Sequence, residues 1–368
     1  MKAAVREKLE KQQYKIVGPH QHSAVKLCHW TKEDLKSGRH CYKGDFYGIE
    51  SHGCMQMTPT VDHCNFRCTY CWRHHGFTSF DMEHVDHPAD IIADALKAQR
   101  LLLTGYKGHP TVPYEKWWKA QAPKHVAISL TGEPTMYPHL GDLIAECHKY
   151  GMTTFLVTNG SHPDVLANLD PLPTQLYVSV DAPNEKVFKE ICIPTVPNAW
   201  ENIQKTLALL PSLDTRIVAR HTLVKGYSLD YVADYAKQDK IAEPDFIEAK
   251  GYVFVGDSRQ RLTIGHMPTN DEVIAFSNAL ADVTGYNYRM NNAPSRVCLL
   301  TKTMDDPRIR PDQFPVMRTN PWEPKNRLEQ GLGELGEVVT SEVAVPAPVI
   351  DDMPNVVLDW GSLARLPK

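Results

Sequence analysis

Nowhere does the chain hold an uncharged apolar run near the roughly 20 residues that a membrane-spanning helix needs. Its first residues, Met1-Lys-Ala-Ala-Val-Arg-Glu-Lys, are too charged for the apolar core of a signal peptide. Both absences lead us to expect a cytoplasmic protein. A basic excess is missing as well: the formal net charge of −4 argues against a general nucleic-acid coat. No internal repeat stands out, and 42% hydrophobic with 23% charged residues over 368 positions describe a folded enzyme rather than a disordered tail or a fibre. A disulfide framework is absent too. Six of the nine cysteines fall within residues 28 to 71 and the other three in the 297 residues that follow, a clustering that indicates metal binding.

The average charge hides an asymmetry. Residues 1 to 40 carry nine Lys/Arg against four Asp/Glu, whereas residues 328 to 364 carry seven Asp/Glu and no Lys or Arg. Histidines crowd the cysteines (His20, His22, His29, His40, His52, His63, His74, His75), so a local basic face on an acidic protein is compatible with these numbers.

Residues 88 to 104 begin with Pro and keep apolar residues at helical spacing, which predicts a helix. Downstream, short β-branched runs alternate with amphipathic segments. Strands are predicted at Cys54 to Thr60, His125 to Leu130, Thr153 to Thr158, Gln175 to Val180, Arg216 to Leu223 and Asp245 to Val253. Helices are predicted at His139 to Tyr150, Pro163 to Leu169, Ala199 to Leu210, Leu229 to Lys237 and Asp271 to Val283. About six βα units favour a partial or full barrel over an open doubly wound sheet, although periodicity alone does not separate them. Tyr106 to Pro123, with Trp117 and Trp118, reads as a capping insertion. Residues 325 to 368 read as a poorly packed or strap-like tail.

Cys64-Asn-Phe-Arg-Cys68-Thr-Tyr-Cys71 places three thiolates on one loop after a predicted strand. Three cysteines ligate three irons of a cubane and leave the fourth open to a small chelating ligand. A zinc knuckle completed by His63, His74 or His75 is the bland alternative. Cys28, Cys41 and Cys54 stand 13 and 13 residues apart. By spacing alone they suit a second three-thiolate cluster, a zinc site with His29, His40 or His52, or unrelated buried thiols.

The Cys64 motif at the first strand of a βα array resembles the signature of the radical S-adenosylmethionine (SAM) superfamily. Further matches follow in register: Thr131-Gly132-Glu133-Pro134 resembles the turn that binds the methionine amine, Thr158-Asn159-Gly160 ends the third strand, and Ser179-Val-Asp181 ends the fourth, where the superfamily contacts the ribose. The even spacing of the upstream cysteines, Cys41-Tyr-Lys43-Gly-Asp-Phe-Tyr-Gly-Ile, and Lys250-Gly-Tyr-Val-Phe-Val-Gly-Asp-Ser-Arg259-Gln-Arg261 are similar to the wyosine-forming branch, the archaeal-type tRNA 4-demethylwyosine synthases. This match runs from about residue 20 to about residue 325.

The resemblance implies an α/β fold, a radical SAM partial (β/α)6 TIM-type barrel (52–300) with an N-terminal auxiliary-cluster segment (1–51) and a C-terminal extension (301–368). It implies two [4Fe-4S] clusters, one on Cys64, Cys68 and Cys71 that cleaves SAM, and one on Cys28, Cys41 and Cys54 whose open iron chelates pyruvate. The implied substrate is tRNA-Phe bearing N1-methylguanosine beside the anticodon. A 5′-deoxyadenosyl radical takes a hydrogen from the N-methyl group, the resulting carbon radical adds to C2 of pyruvate, and loss of C1 closes the third ring: carbon–carbon lyase chemistry. Lys43 is placed to condense with the pyruvate ketone, Tyr70 to pack its neighbouring backbone on the adenine, and Gly132, Glu133, Pro134, Asn159, Ser179 and Asp181 to bind SAM. Lys250, Arg259 and Arg261, with Trp117 and Trp118, are candidate tRNA contacts, while Arg67 and Arg73 suit ordinary surface charge equally well. The acidic tail is expected on the far side from the tRNA. Eukaryotic relatives carry a flavodoxin-like domain ahead of this region. Only 27 residues precede Cys28 here, so a separate electron-donor protein is expected. The competing readings are another two-cluster radical SAM enzyme, such as a glycyl-radical activase or a peptide-modifying enzyme, and a zinc-stabilised RNA-binding module.

Overall fold

In the computed structural model, which describes residues 3–75, 82, 84–333 and 335, ten strands form one sheet. They are β1 (Lys15–Val17), β2 (Ser23–Val25), β3 (Cys54–Thr58), β4 (His125–Ile128), β5 (Thr153–Thr158), β6 (Gln175–Ser179), β7 (Arg216–Leu223), β8 (Phe246–Gly251), β9 (Asn287–Asn292) and β10 (Val297–Thr301). Spatial order is β1-β2-β3-β4-β5-β6-β7-β8-β10-β9. β3 to β8 run parallel, each beside the next. That is the consequence of feeding each strand through a crossover on one side. Antiparallel hairpins close the two edges, β1-β2 against β3 and β10-β9 against β8. The six parallel strands are the six predicted ones, and the result is a radical SAM partial barrel. Neither hairpin was expected.

The helices are α1 (Ala3–Lys11), α2 (His29–Ser37), α3 (Tyr42–Tyr47), α4 (Pro88–Leu103), α5 (Tyr114–Ala120), α6 (Leu140–Lys149), α7 (Pro163–Ala167), α8 (Glu185–Ile191), α9 (Ala199–Leu209), α10 (Val232–Ala242) and α11 (Asn270–Thr284). Local chemistry sets their ends. Pro88 starts α4 where an N–H is not needed. Thr269 and Glu272 form a capping box on α11, and Gly285 ends it in the left-handed conformation.

Alternation along the parallel strands divides their side chains between two cores. The outward set (Met55, Met57, Val126, Ile128, Leu156, Leu176, Val178, Ile217, Ala219, Ile247, Ala249) packs under the helices. The inward set meets α3. Phe155, Tyr177, Val218, Phe246 and Leu299 surround Tyr42, Phe46 and Tyr47, with Cys41 and Cys54 at the margin. Helix α3 therefore fills the lumen from the end where the strands begin, and each such buried side chain stabilises by about 1.5–3 kcal/mol.

The insertion carrying α5 braces α2. Trp117 and Ala120 bury against Leu27, Leu35 and Leu103, and Lys116 reaches both the carboxylate and the carbonyl of Asp34. Residues 307–331 strap the outside of the barrel: Arg318 N donates to Lys149 O at 2.7 Å, Arg100 to Trp322 O at 3.3 Å and Arg327 N to Asp90 Oδ1 at 2.8 Å. Residues 1–331 form one compact unit, and we propose the 1–51, 52–300 and 301–368 segments as functional parts of the chain. The acidic run from Gly336 onward lies outside the described residues.

Candidate active site

Cys54 opens β3, and Cys64 lies beyond its C-terminal end at Thr58. The two cysteine trios thus attach at opposite ends of one five-residue strand, roughly 16 Å at the rise of a parallel strand. Cys64, Cys68 and Cys71 line a cavity of about 410 Å³ at the barrel mouth, shared with Gly132, Glu133, Asn159, Ser179, Asp181, Arg220 and Lys250. Burial and the nearby Cys68 and Cys71 raise the Cys64 thiol well above its usual range. Cys68 is raised by the adjoining Cys192 thiol and by burial, and Cys71 by burial. In the second trio burial and Cys28 push Cys41 up to about 11 and Cys54 up to about 12. Each trio is therefore a group of sulfurs that a bound cation would ionise. Among the described residues no three His, Cys, Asp or Glu side chains converge on a single metal ion. A cubane asks for less convergence, because each thiolate binds a different iron, and the mouth trio fits one.

The Gly132 turn is pressed against the run into the cluster loop. A Cβ on Gly132 would stand 1.8 Å from Thr60 O, and its φ is +72°, so only glycine fits. Glu133, expected to help hold the methionine amine, lines the same cavity and also ties two turns together. Its carboxylate accepts from Thr135 N (3.1 Å), Thr135 Oγ1 (2.6 Å), Thr158 Oγ1 (2.6 Å) and Asn159 N (2.7 Å), and Pro134 begins the short turn that follows. Glu133 thus ties this turn to the next one. Asn159 carries the tie onward, donating from Nδ2 to Asn65 Oδ1 at 2.8 Å inside the cysteine motif. Glu133→Ala should accordingly cost roughly 3 kcal/mol of stability, read by denaturant unfolding, together with loss of SAM affinity. A variant with unaltered stability would refute the tie.

Asp181 accepts from Thr222 N at 2.9 Å and from the Tyr70 hydroxyl at 2.6 Å, joining the cluster loop to the end of β6. Ser179 lines the cavity one pleat below. The same inward pleat carries Arg220 beside it on β7 and Glu248 on β8. Glu248 is fully buried. It accepts from the Tyr42 and Tyr47 hydroxyls at 3.0 and 2.9 Å and faces Arg220 at 3.9 Å, so it anchors α3, the helix of Lys43. Lys43 Nζ stands 4.1 Å from the Tyr177 ring centroid and 5.0 Å from that of Phe155. Burial lowers its proton affinity.

The sequence reading does not single out Glu248 or Arg220. The signal was available: Phe246, Glu248 and Lys250 alternate on one strand face, and charged residues are almost never fully buried unless paired.

The candidate tRNA contacts separate. Lys250 lies within the barrel, donating to Ser295 O at 2.9 Å, and burial brings it down to about 8. Arg261 braces the cluster loop through the carbonyls of Thr69 (3.0 Å), Cys71 and Arg73 (3.4 Å). Arg259 is exposed. Trp117 is 8% exposed and donates to Leu103 O, and Trp118 stacks on Trp322 at 4.5 Å. Neither tryptophan lines the mouth. Trp72 does, with Arg73 4.0 Å and Lys26 5.3 Å from its ring.

A parallel partial barrel with Cys-x3-Cys-x2-Cys beyond its first strand defines a radical SAM enzyme, and residues 58–238 match the radical SAM superfamily. SAM and a [4Fe-4S] cluster belong to that class. Residues 241–302 match a second family, wyosine base formation. The S-adenosyl-L-methionine-dependent tRNA 4-demethylwyosine synthase of Pyrococcus horikoshii is 47% identical over 313 residues, 83% of this chain and 91% of that one. Two solved structures align over 84% of this chain: TYW1 with a lysine-pyruvate adduct bound (35% identity, 99% of that chain, TM-score 0.77) and archaeal TYW1 (33%, 100%, 0.70). The chain belongs to the tRNA 4-demethylwyosine synthases. Membership removes the activase, peptide-modifying and zinc-module readings. No helix among the described residues is long and apolar enough to cross a membrane.

Proposed function

We propose that this enzyme condenses N1-methylguanosine beside the anticodon of tRNA-Phe with pyruvate to give 4-demethylwyosine, a carbon–carbon lyase reaction. The observation that carries the reading is the position of Lys43 in the lumen, against the Tyr177 and Phe155 rings and on a helix that begins beside Cys41. The lysine-pyruvate adduct of the similar TYW1 structure supports it. Cys28, Cys41 and Cys54 would hold a second [4Fe-4S] cluster, a Lewis acid toward the pyruvate ketone. Cys64, Cys68 and Cys71 would hold the first cluster, which with SAM bound would supply the 5′-deoxyadenosyl radical on receiving an electron from a separate donor protein.

The chain's own residues do the rest. Lys43 condenses with pyruvate C2, and the Tyr177 and Phe155 rings hold its amine in an apolar wall that excludes water. Glu248 fixes α3 through Tyr42 and Tyr47. The splayed base enters past Trp72, whose exposed ring suits stacking, while Arg73 and Lys26 neutralise phosphate. Anaerobic reconstitution with iron and sulfide, then incubation with dithionite as electron donor and with SAM, pyruvate and methylated tRNA-Phe, should give the tricyclic base only when SAM, pyruvate and the methylated tRNA are all present. Product without pyruvate would overturn the reading.

A further inference from the structure

The four residues that follow β6 present four successive carbonyls, and a buried side chain takes each of them. His221 Nδ1 donates to Val180 O at 2.9 Å and the Tyr235 hydroxyl to Asp181 O at 3.1 Å. Gln238 Nε2 donates to Ala182 O at 2.9 Å and Pro183 O at 2.8 Å. Tyr235, Gln238 and Asp239 lie at helical spacing on one face of α10, all buried, as is His221 on the outward face of β7. Two carbonyls on one Gln238 nitrogen fix the amide orientation, since only the NH2 end can donate twice.

The proton count at His221 is likewise fixed by its partners. Nδ1 faces a carbonyl, and Nε2 faces Asp239 Oδ2 at 3.1 Å. Both partners are acceptors, and a neutral imidazole has one N–H to give, so satisfying both takes the imidazolium. Burial opposes that charge and the Asp239 carboxylate outweighs it, leaving the imidazole with a raised proton affinity. The Tyr235 ring packs on it with centroids 4.4 Å apart.

We propose that His221, doubly protonated against Asp239, is a positioning residue that together with Tyr235 and Gln238 fixes the 180–183 segment, so that the Asp181 carboxylate is set in place before SAM arrives. This rests on the reading of Asp181 as the ribose contact. The carboxylate keeps lone pairs for ribose hydroxyls beyond those used by Thr222 N and Tyr70. Gln238 reaches the cavity wall, whereas His221, Tyr235 and Asp239 lie behind it; the clamp acts by removing the freedom that binding would otherwise have to quench, and Asp239→Asn tests it away from the cavity.

The test uses the reconstituted holoenzyme. Gln238→Met keeps the side-chain length and deletes both donors, and Asp239→Asn removes the counter-charge. Each should weaken SAM binding about tenfold, the loss of a strong hydrogen bond, with iron content and borohydride trapping of pyruvate on Lys43 unchanged. Nitrogen-15 histidine spectra of the unsubstituted protein provide a readout that needs no variant: His221 should show two protonated ring nitrogens across the neutral range. A single neutral tautomer, or variants that lose thermal stability but keep SAM affinity while Asp181→Asn loses it, would overturn the clamp and leave the ribose reading standing. Unaltered affinity in Asp181→Asn would overturn both.

Discussion

Lys43→Ala should reduce tricyclic base formation by at least about a thousandfold, the order of rate lost when a covalently held partner becomes a diffusing one. SAM cleavage to 5′-deoxyadenosine should continue, uncoupled. The reason is spatial. Lys43 Nζ sits against Tyr177 on the pleat below Ser179, Arg220 and Glu248, whereas the SAM-cleaving trio lies at the barrel mouth. Removing the amine leaves that mouth untouched. Borohydride added to the parent enzyme with pyruvate should trap an adduct on Lys43, found by peptide mass spectrometry, and the Ala variant should give none. Base formation at the parental rate in the variant would end the imine role.

The second large effect concerns the mouth trio. Replacing Cys64, Cys68 and Cys71 together with alanine should leave about half the iron and sulfide, that of the auxiliary site, and produce no 5′-deoxyadenosine. Pyruvate trapping on Lys43 should survive, because Cys28, Cys41 and Cys54 belong to a different group around α2, α3 and the start of β3. Retention of all the iron would show that these cysteines hold no cluster. Loss of all of it would show that the trios do not assemble independently.

Two candidate site residues also hold the loops that shape the site. Glu133, expected at the methionine amine, accepts from Thr135, Thr158 and Asn159. Arg261, a candidate tRNA contact, holds three carbonyls of the cluster loop. Buried carbonyls and carboxylates must be satisfied locally before anything is left for a substrate. Sequence motifs record that the residue is required, and leave open which partner requires it.

What the sequence by itself determined is what depends on neighbours along the chain: the Cys64, Cys68 and Cys71 trio, from ligand spacing, and the six parallel strands with their main helices, from hydrophobic period, while the spacing of Cys28, Cys41 and Cys54 left their ligand open. The short hairpins escaped it, because the three residues of β1 or β2 hold too little alternation to read and β9 has only Tyr288 and Met290 among polar residues. Only the tertiary structure decided that Cys28 and Cys41 gather at the Cys54 end of β3, that α3 fills the lumen and carries Lys43 inward, and that Trp72 rather than Trp117 stands at the mouth. It also set Glu248 under the hydroxyls of Tyr42 and Tyr47 and His221 between Val180 O and Asp239. These are matters of which face a side chain turns and what packs opposite it, and that is set by pairings between strands and helices hundreds of residues apart, whose closure no local pattern encodes.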